Sequence, residues 1–340
     1  MTALFDERLS VAPMMELTDG HFRRFARCFT KKTVLYTEMI PAQAVVYGDA
    51  ARFLNFTLEE KPLVLQFGGS DPEILAKACA AAGSYAYDAV NLNAGCPSSR
   101  VAAGNFGAML MSKNHTELLS ECLCAMVENA KAPVTVKTRI AIQDETQSSD
   151  GYEALVRFVQ IARKAGVKRV IAHARKARLN LSPKQNRKRP DLRYDLIYDL
   201  KRDFPELSVL LNGDVKTIGQ AQEHLKHVDG VMIGREFYAN PYAFADVDRE
   251  IFNEDAPLLS REQIVRAYLP YMEEELEKGA AFKDLTCRLF GLFKNVSGAS
   301  AWRRELSEEA RNPRADAKTV AKILNRVIST DSHNFDKGDL

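Results

Sequence analysis

The sequence predicts an α/β fold, a (β/α)8 TIM barrel followed by a small C-terminal all-helical domain, on three observations. Eight short β-branched runs recur along the chain, and segments of helical periodicity lie between them. These strand–helix units of roughly 30 residues fill about 240 residues, the size of a closed barrel. After Asn240-Pro241 the β-type runs stop and only helical patterns remain. A doubly wound open sheet is the main alternative, but no Gly-x-Gly-x-x-Gly follows the first strand, which counts against its dinucleotide-binding version.

In chain order, the predicted strands are Leu9–Met14, Val34–Met39, Leu63–Phe67, Ala89–Asn93, Val134–Thr138, Arg169–Ala174, Ser208–Asn212 and Gly230–Gly234. Helices are expected over 72–82, 115–129, 152–165, 194–203 and 217–226. Asp71-Pro72 supplies an N-cap with proline at the first helical position, and Thr217 opens another helix. In the C-terminal part, 260–279 begins with the capping-box pair Ser260 and Gln263 and stops at Gly279, with Pro270 expected to kink or divide it. Further helices are expected through 284–294, 298–310 and 315–329. The domains are therefore placed at 1–245 for the barrel and 246–330 for the helical domain, with a frayed tail over 331–340.

Apolar residues make up 46% of the 340, enough for a sizeable core, and charged residues 27%. The net charge of +2 gives no indication of a nucleic-acid partner by itself, so distribution must decide. The six cysteines contain no CxxC pair, so neither a zinc site nor a disulfide framework follows. No carboxylate cluster or His-rich spacing supports a metal. The opening MTALFDERLS does not read as a signal peptide, and no apolar run approaches the ~18 residues of a membrane span. A cytoplasmic monomer with no membrane association is expected.

Barrel active sites lie at the C-terminal ends of the strands, so the strand ends carry the functional reading. They are Pro13-Met14-Met15, Glu38-Met39, Gln66-Phe67-Gly68-Gly69, Asn93 with Gly95-Cys96-Pro97, Lys137-Thr138-Arg139, His173-Ala174-Arg175, Asn212-Gly213 and Gly234-Arg235. Amides, cations, an imidazole and glycines thus meet at one rim. The glycines of the seventh and eighth strand ends, with Arg235, match the phosphate site that many barrels build there. With Lys137, His173, Gln66 and Asn212, the set suits a planar heterocycle with imide edges and a phosphate tail, as in flavin mononucleotide (FMN).

Taken together, Gln66–Gly69, Asn91-Leu92-Asn93 with Gly95-Cys96-Pro97, Lys137-Thr138-Arg139, His173-Ala174-Arg175, Ser182-Pro183-Lys184 with Asn186-Arg187, and Gly230–Arg235 resemble the tRNA-dihydrouridine synthases. Gly291-Leu292-Phe293 and the stretch Ala301–Glu308 are similar to the A subfamily, which modifies D-loop uridines around positions 20 and 20a. The resemblance runs from about residue 8 to 310, in order. It implies FMN, reduced by NADPH, saturating the C5=C6 bond of a uridine in tRNA. It assigns the cofactor contacts to Met14, flanked by Pro13 and Met15, and to Gln66, Lys137, His173, Asn212, Gly213, Gly234 and Arg235.

On the same resemblance the uracil base meets Asn93, Cys96 and Arg187. Hydride reaches C6 of the base and a donor must then protonate C5. A thiol with an ordinary pKa of about 8.5 is mostly protonated at neutral pH and can act as that general acid, so Cys96 is the expected catalytic residue. From Arg163 to Arg193 the chain carries 12 Lys or Arg and one acid, Asp191. This run follows the sixth strand at the rim and suits phosphate contacts. The expected tRNA contacts add Arg139, Arg175, Lys176, Arg178 and Lys184, with Arg303-Arg304 in the helical domain.

Some positions depart from the family pattern. Asp214 stands where a second glycine is usual after Asn212-Gly213, Ala141 replaces a glycine, the loop after His173 is one residue shorter, and Cys287-Arg288 replaces an Arg-His pair. Competing readings are a flavin-dependent barrel oxidoreductase on a free pyrimidine, a Schiff-base aldolase using Lys137, and a catalytically silent tRNA-binding module.

Overall fold

The structure, a computed structural model, describes residues 5–98, 101, 103–143, 151–188 and 191–331. Every predicted strand is present: β1 (Leu9–Val11), β2 (Leu35–Pro41), β3 (Leu63–Gly68), β4 (Ala89–Ala94), β5 (Val134–Arg139), β6 (Arg169–His173), β7 (Ser208–Asn212) and β8 (Gly230–Ile233). All pair in parallel, in the order β1-β8-β7-β6-β5-β4-β3-β2. A parallel bridge between Ser10 and Val34 closes the ring, with Val11 N donating to Val34 O at 2.9 Å and Val34 N to Leu9 O at 3.1 Å. β1 stops at Val11, so Pro13 and Met14, predicted within the first strand, lie with Met15 on the loop beyond it.

The two-residue period of a strand sorts the barrel interior into levels. Tyr36, Val64, Ala89, Ile171, Leu210 and Met232 belong to one buried cluster. Two residues further along four of these strands, the same inward register carries Gln66, Asn91, His173 and Asn212. Below the apolar level, Glu7 is buried between Tyr36, whose hydroxyl donates to it at 2.6 Å, and Arg169 at 2.7 Å. Burial raises the Glu7 pKa, with Arg169 opposing. Apolar and paired side chains therefore fill the barrel, and its polar chemistry gathers at the C-terminal rim.

The expected helices form at Pro72–Ala82, Thr116–Asn129, Tyr152–Lys164, Tyr194–Asp203 and Ile218–Leu225. Asp71 caps the first of these by accepting from Ile74 N at 3.1 Å, and Thr217 caps the last by accepting from Gln220 N at 3.1 Å.

The chain divides into two compact units. One comprises Thr33–Gly234 with the segment ending at Glu16; the other comprises Leu17–Lys32 with the chain from Arg235 onward. The division thus falls ahead of the 245/246 boundary read from the sequence and takes in a segment between β1 and β2. The reason is aromatic: on the helix Gly20–Ala26, Phe22 packs on Phe237 at 6.2 Å and Phe25 on Tyr268 at 5.4 Å between ring centroids. Asp19 caps that helix and also pairs with Arg288, from the Cys287-Arg288 departure.

The helix Arg261–Glu277 has the predicted capping box and runs through Pro270 undivided. Its buried residues Ile264, Val265, Tyr268 and Met272 flank the proline on both sides, so packing outweighs one lost hydrogen bond. The helix expected over 284–294 is instead Phe282–Thr286 and a 3-10 turn, Cys287–Leu289. Gly291 lies too close to Ala239 for any side chain, a Cβ there falling 2.7 Å from the Ala239 carbonyl oxygen. Two more helices, Ala299–Glu309 and Ala317–Asp331, complete the unit. The tail over 332–340 lies outside the described residues.

Candidate active site

The turn after β4 is built around one amide. Asn93 Oδ1 accepts from Gly95 N at 3.1 Å and from Cys96 N at 3.0 Å, an Asx-type turn that bends the chain as soon as the strand ends. Gly95 lies flat on the end of β5, where a Cβ would fall 3.0 Å from the Thr138 carbonyl carbon. The carbonyl of Cys96 accepts from Ala108 N at 3.0 Å. Gly107, at φ +64°, leaves room for that approach, since a Cβ there would sit 2.7 Å from the Cys96 oxygen and 2.4 Å from Val101. Cys96 itself is half-buried, held on a short loop with its thiol at the rim.

Behind it, Arg139 is buried and donates from Nε to Gly95 O at 2.9 Å and from Nη1 to Lys176 O at 3.2 Å. Its guanidinium thus joins the turn after β4 to the loop after β6. Burial holds its pKa down at about 10, with Cys96 opposing and Arg175 and Arg187 adding to the depression. Expected as a tRNA contact, Arg139 turns these donors inward to backbone.

Lys137 sits beside Asn93 in the strand register and reaches across to Asn212, donating to its Oδ1 at 3.0 Å. Asn212 Nδ2 in turn donates to Met232 O at 2.7 Å, which fixes which end of the amide faces the lysine. Burial pushes the Lys137 ammonium down to about 7, Arg139 adding to the effect and Cys96 opposing it. His173 pairs in register with Asn212 and is half-buried.

Gln66 is fully buried, its Nε2 donating to Asn91 at 2.8 Å and its Oε1 accepting from Asn93 at 2.9 Å. The motif assigns Asn91 no role, and Thr135, its acceptor at 2.8 Å, carries no sequence signal beyond strand periodicity. The i, i+2 spacing of Asn91 and Asn93 on a strand was the available clue.

The loop after β7 resolves one departure. Asp214 takes φ +56°, the left-handed conformation that makes glycine usual there and that Asp tolerates better than most residues. Its carboxylate is exposed and shared by Arg175 at 3.9 Å and Lys216 at 3.5 Å. Gly213, at φ +141°, has its carbonyl held by the Tyr194 hydroxyl at 2.6 Å. At Gly234 the backbone is open, a Cβ meeting no atom within 4 Å. Arg235, the next residue, begins the second unit.

The shortened loop after β6 is pinned by Asn186, which is buried and bonds Arg178 O, Leu181 O and Arg178 N at 2.7, 2.9 and 2.8 Å. Arg178 donates to Gln143 at 2.6 Å, and a parallel bridge joins Ile142 to Ala177. Arg175 is buried, Lys176 and Arg187 are half-buried, and Lys184 is exposed. Arg189 of the basic run lies outside the described residues. Pro13 and Met14 are half-buried, and Met15 is 57% exposed.

In the second unit Trp302 is fully buried, donates to Leu289 O at 2.9 Å and packs on Phe293. It is core, which leaves Arg303 and Arg304 exposed beside it, Arg304 loosely facing Glu308 at 3.9 Å.

Among the described residues no cluster of His, Cys, Asp or Glu could hold a metal ion, and no helix is long and apolar enough to cross a membrane. The donor set at the rim fits a flavin: an Asn212 amide oriented by Lys137 and the Met232 carbonyl, the Lys137 ammonium with its pKa lowered to about 7, and open backbone at Gly234 for a phosphate, while Gln66, fully buried, lies beneath with its amide engaged by Asn91 and Asn93.

The family model for dihydrouridine synthase matches residues 10–328. A tRNA-dihydrouridine(20/20a) synthase of Synechocystis sp. is 49% identical over 91% of this chain and 92% of its own. Proteins of the same name from Vibrio parahaemolyticus and Shewanella oneidensis are 48% and 45% identical, over 94% and 96% of this chain and 97% and 95% of theirs. A solved structure of a morphinone reductase variant in complex with tetrahydroNAD superposes with a TM-score of 0.52 at 12% identity, covering 72% of this chain and 86% of that one. That likeness concerns the barrel fold.

Proposed function

The chain belongs to the dihydrouridine synthase family, and from that premise we propose that it reduces the C5=C6 bond of D-loop uridines at positions 20 and 20a of tRNA, using FMN with NADPH as reductant. The observation that carries the reading is Cys96, held on an Asx turn at the C-terminal end of β4, beside the strand β5 that carries Lys137 in register with Asn93.

Gln66, Lys137, His173, Asn212 and Gly213 are the barrel residues that would hold the cofactor, with Gly234 and Arg235 toward its phosphate and Met14, between Pro13 and Met15, as a further contact. When bound, reduced flavin supplies a hydride for C6 of the uracil. Charge then develops at C5 and the C4 carbonyl, and Cys96 delivers the proton to C5. Asn93, Arg139 and Ala108 each hold part of the Cys96 loop by hydrogen bonds, which limits how far the thiol can swing away. Arg187 and Asn93 are the side chains that meet the base, and Arg175, Lys176, Arg178 and Lys184 lie on the adjoining loop that would follow the RNA backbone. Extracting a base from folded RNA costs a few kcal/mol, which those contacts, with Arg303 and Arg304, offset.

The test is a spectrum of the purified protein during anaerobic addition of NADPH and then unmodified tRNA. Flavin bands that bleach and then return support the reading. Bands that bleach but do not return with tRNA favour a free pyrimidine as the substrate, and a protein that holds no flavin after reconstitution overturns it.

A further inference from the structure

Four polar side chains form a single hydrogen-bonded chain across β3, β4 and β5, and its direction can be worked out from one end. The backbone N–H groups of Gly95 and Cys96 can only donate, so Asn93 must present Oδ1 to them. Its Nδ2 therefore points at Gln66, which must turn Oε1 to meet it. That leaves Gln66 Nε2 for Asn91 Oδ1, and Asn91 Nδ2 for the hydroxyl of Thr135. Thr135 closes the chain by donating to Val90 O at 3.5 Å. Amide orientation is usually ambiguous because oxygen and nitrogen look alike; here two backbone donors remove the ambiguity along the whole chain.

Gln66, Asn91 and Thr135 are also register partners on three adjacent strands, all with no exposed surface. A buried amide with a missing partner is costly, so none of them can rotate without disturbing the next. We propose that Asn91 and Thr135 are positioning residues that lock the orientation of the Gln66 amide to the conformation of the Cys96 turn. Neither has exposed surface. This proposal rests on the flavin-site reading for Gln66 and on the proton-donor reading for Cys96. Its consequence is that the floor of the cofactor site and the loop carrying the thiol move as one body. Asn91 acts on both through Gln66 and Asn93.

Two measurements test it on the full-length protein: the Kd for FMN of flavin-free protein, and the rate at which iodoacetamide alkylates Cys96 without FMN, followed by peptide mass. The second needs no cofactor. Cys28, Cys79 and Cys122 interfere little, because burial pushes each thiol up to about 12.

Asn91→Leu keeps the size of the side chain and removes both bonds. It is expected to weaken FMN binding about tenfold, the effect of one ordinary lost hydrogen bond, and to speed alkylation of Cys96 several-fold. Thr135→Val removes the terminal hydroxyl, and with it both the acceptor for Asn91 and the long bond to Val90 O, at constant shape, and moves both readouts the same way by less, while Thr135→Ser, which restores the hydroxyl, leaves them as in wild type. If Asn91→Leu does not fold, the Val and Ser pair decides. Wild-type alkylation rates in Asn91→Leu, or equal behaviour of Thr135→Val and Thr135→Ser, overturn the proposal. A wild-type protein that binds no FMN overturns the flavin-site reading instead, and the alkylation rates still decide whether the chain holds the Cys96 turn.

Discussion

At the scale of single residues, the rim separates groups that act from groups that hold. Cys96→Ser keeps the shape of the turn but substitutes a hydroxyl that is far too weak an acid to protonate C5. Flavin reduction by NADPH should then persist while reoxidation by tRNA falls at least about a hundredfold, the usual contribution of a placed general acid; reoxidation at the wild-type rate would remove Cys96 from the mechanism. Arg139 is a holding group, since its donors go to Gly95 O and Lys176 O. Arg139→Ala strands two carbonyls, at about 1–3 kcal/mol each where water cannot reach them, and urea unfolding would read that loss. Lys137 makes a pH prediction with a definite sign. An ordinary lysine ionises near 10.4, whereas burial holds this one at about 7. Between those values the unfolded chain binds a proton that the folded chain does not, so the flavin-free protein gains stability as pH rises from 7 toward 10, and below 7 the gain is gone. In Lys137→Met that rise should flatten, by up to about 1.4 kcal/mol per pH unit; an unchanged slope would place the titration elsewhere.

Among elements, the loops at the strand ends decide what the barrel can do, and they were only partly legible in the sequence. The strands could be read because β-branched runs bounded by turn residues are a local signal, and β3 through β8 fall within a residue of expectation at either end. The rim residues followed from knowing where strands end. What could not be read were contacts made across strands: Asn91 to Thr135, Arg139 back to Gly95, and Tyr194 to the Gly213 carbonyl each join residues at least 19 positions apart. The aromatic pairing that carries Leu17–Lys32 into the helical unit is long-range in the same way. Two glycine-related positions on these loops make opposite predictions. Gly107→Ala forces a Cβ into Val101 and the Cys96 carbonyl at positive φ, and should cost about 1–3 kcal/mol and displace the Cys96 turn. Asp214→Gly relieves a left-handed aspartate on an exposed loop and should leave FMN affinity within about twofold, since the carboxylate points to Arg175 and Lys216; a large gain in affinity would show that the anion opposes the phosphate after all.

For the molecule as a whole, the near-neutral total charge conceals an uneven distribution, and the proposed substrate should expose it. With 47 basic and 45 acidic residues the protein has no general attraction for a polyanion. The loop after β6 nevertheless concentrates cations, more than the proposed cofactor and base contacts need. The second unit is different. Arg303 and Arg304 lie on a helix that also carries Glu305, Glu308 and Glu309, and Arg326 is already paired with Glu305 at 2.7 Å. Phosphate contacts made by the basic loop should therefore dominate the salt dependence of tRNA binding. Each contact releases condensed counterions, and the slope of log K against log salt changes by roughly 0.7–0.9 for every one removed. Lys176→Ala with Lys184→Ala should flatten the wild-type slope by nearly two contacts, whereas Arg303→Ala with Arg304→Ala should flatten it by one or fewer, because Arg304 gives up an acidic neighbour in order to bind. Binding titrations over a series of salt concentrations read both slopes. Equal flattening by the two pairs would make the helical unit a full partner in gripping the RNA, and no flattening by either would direct the search to other cations of the rim.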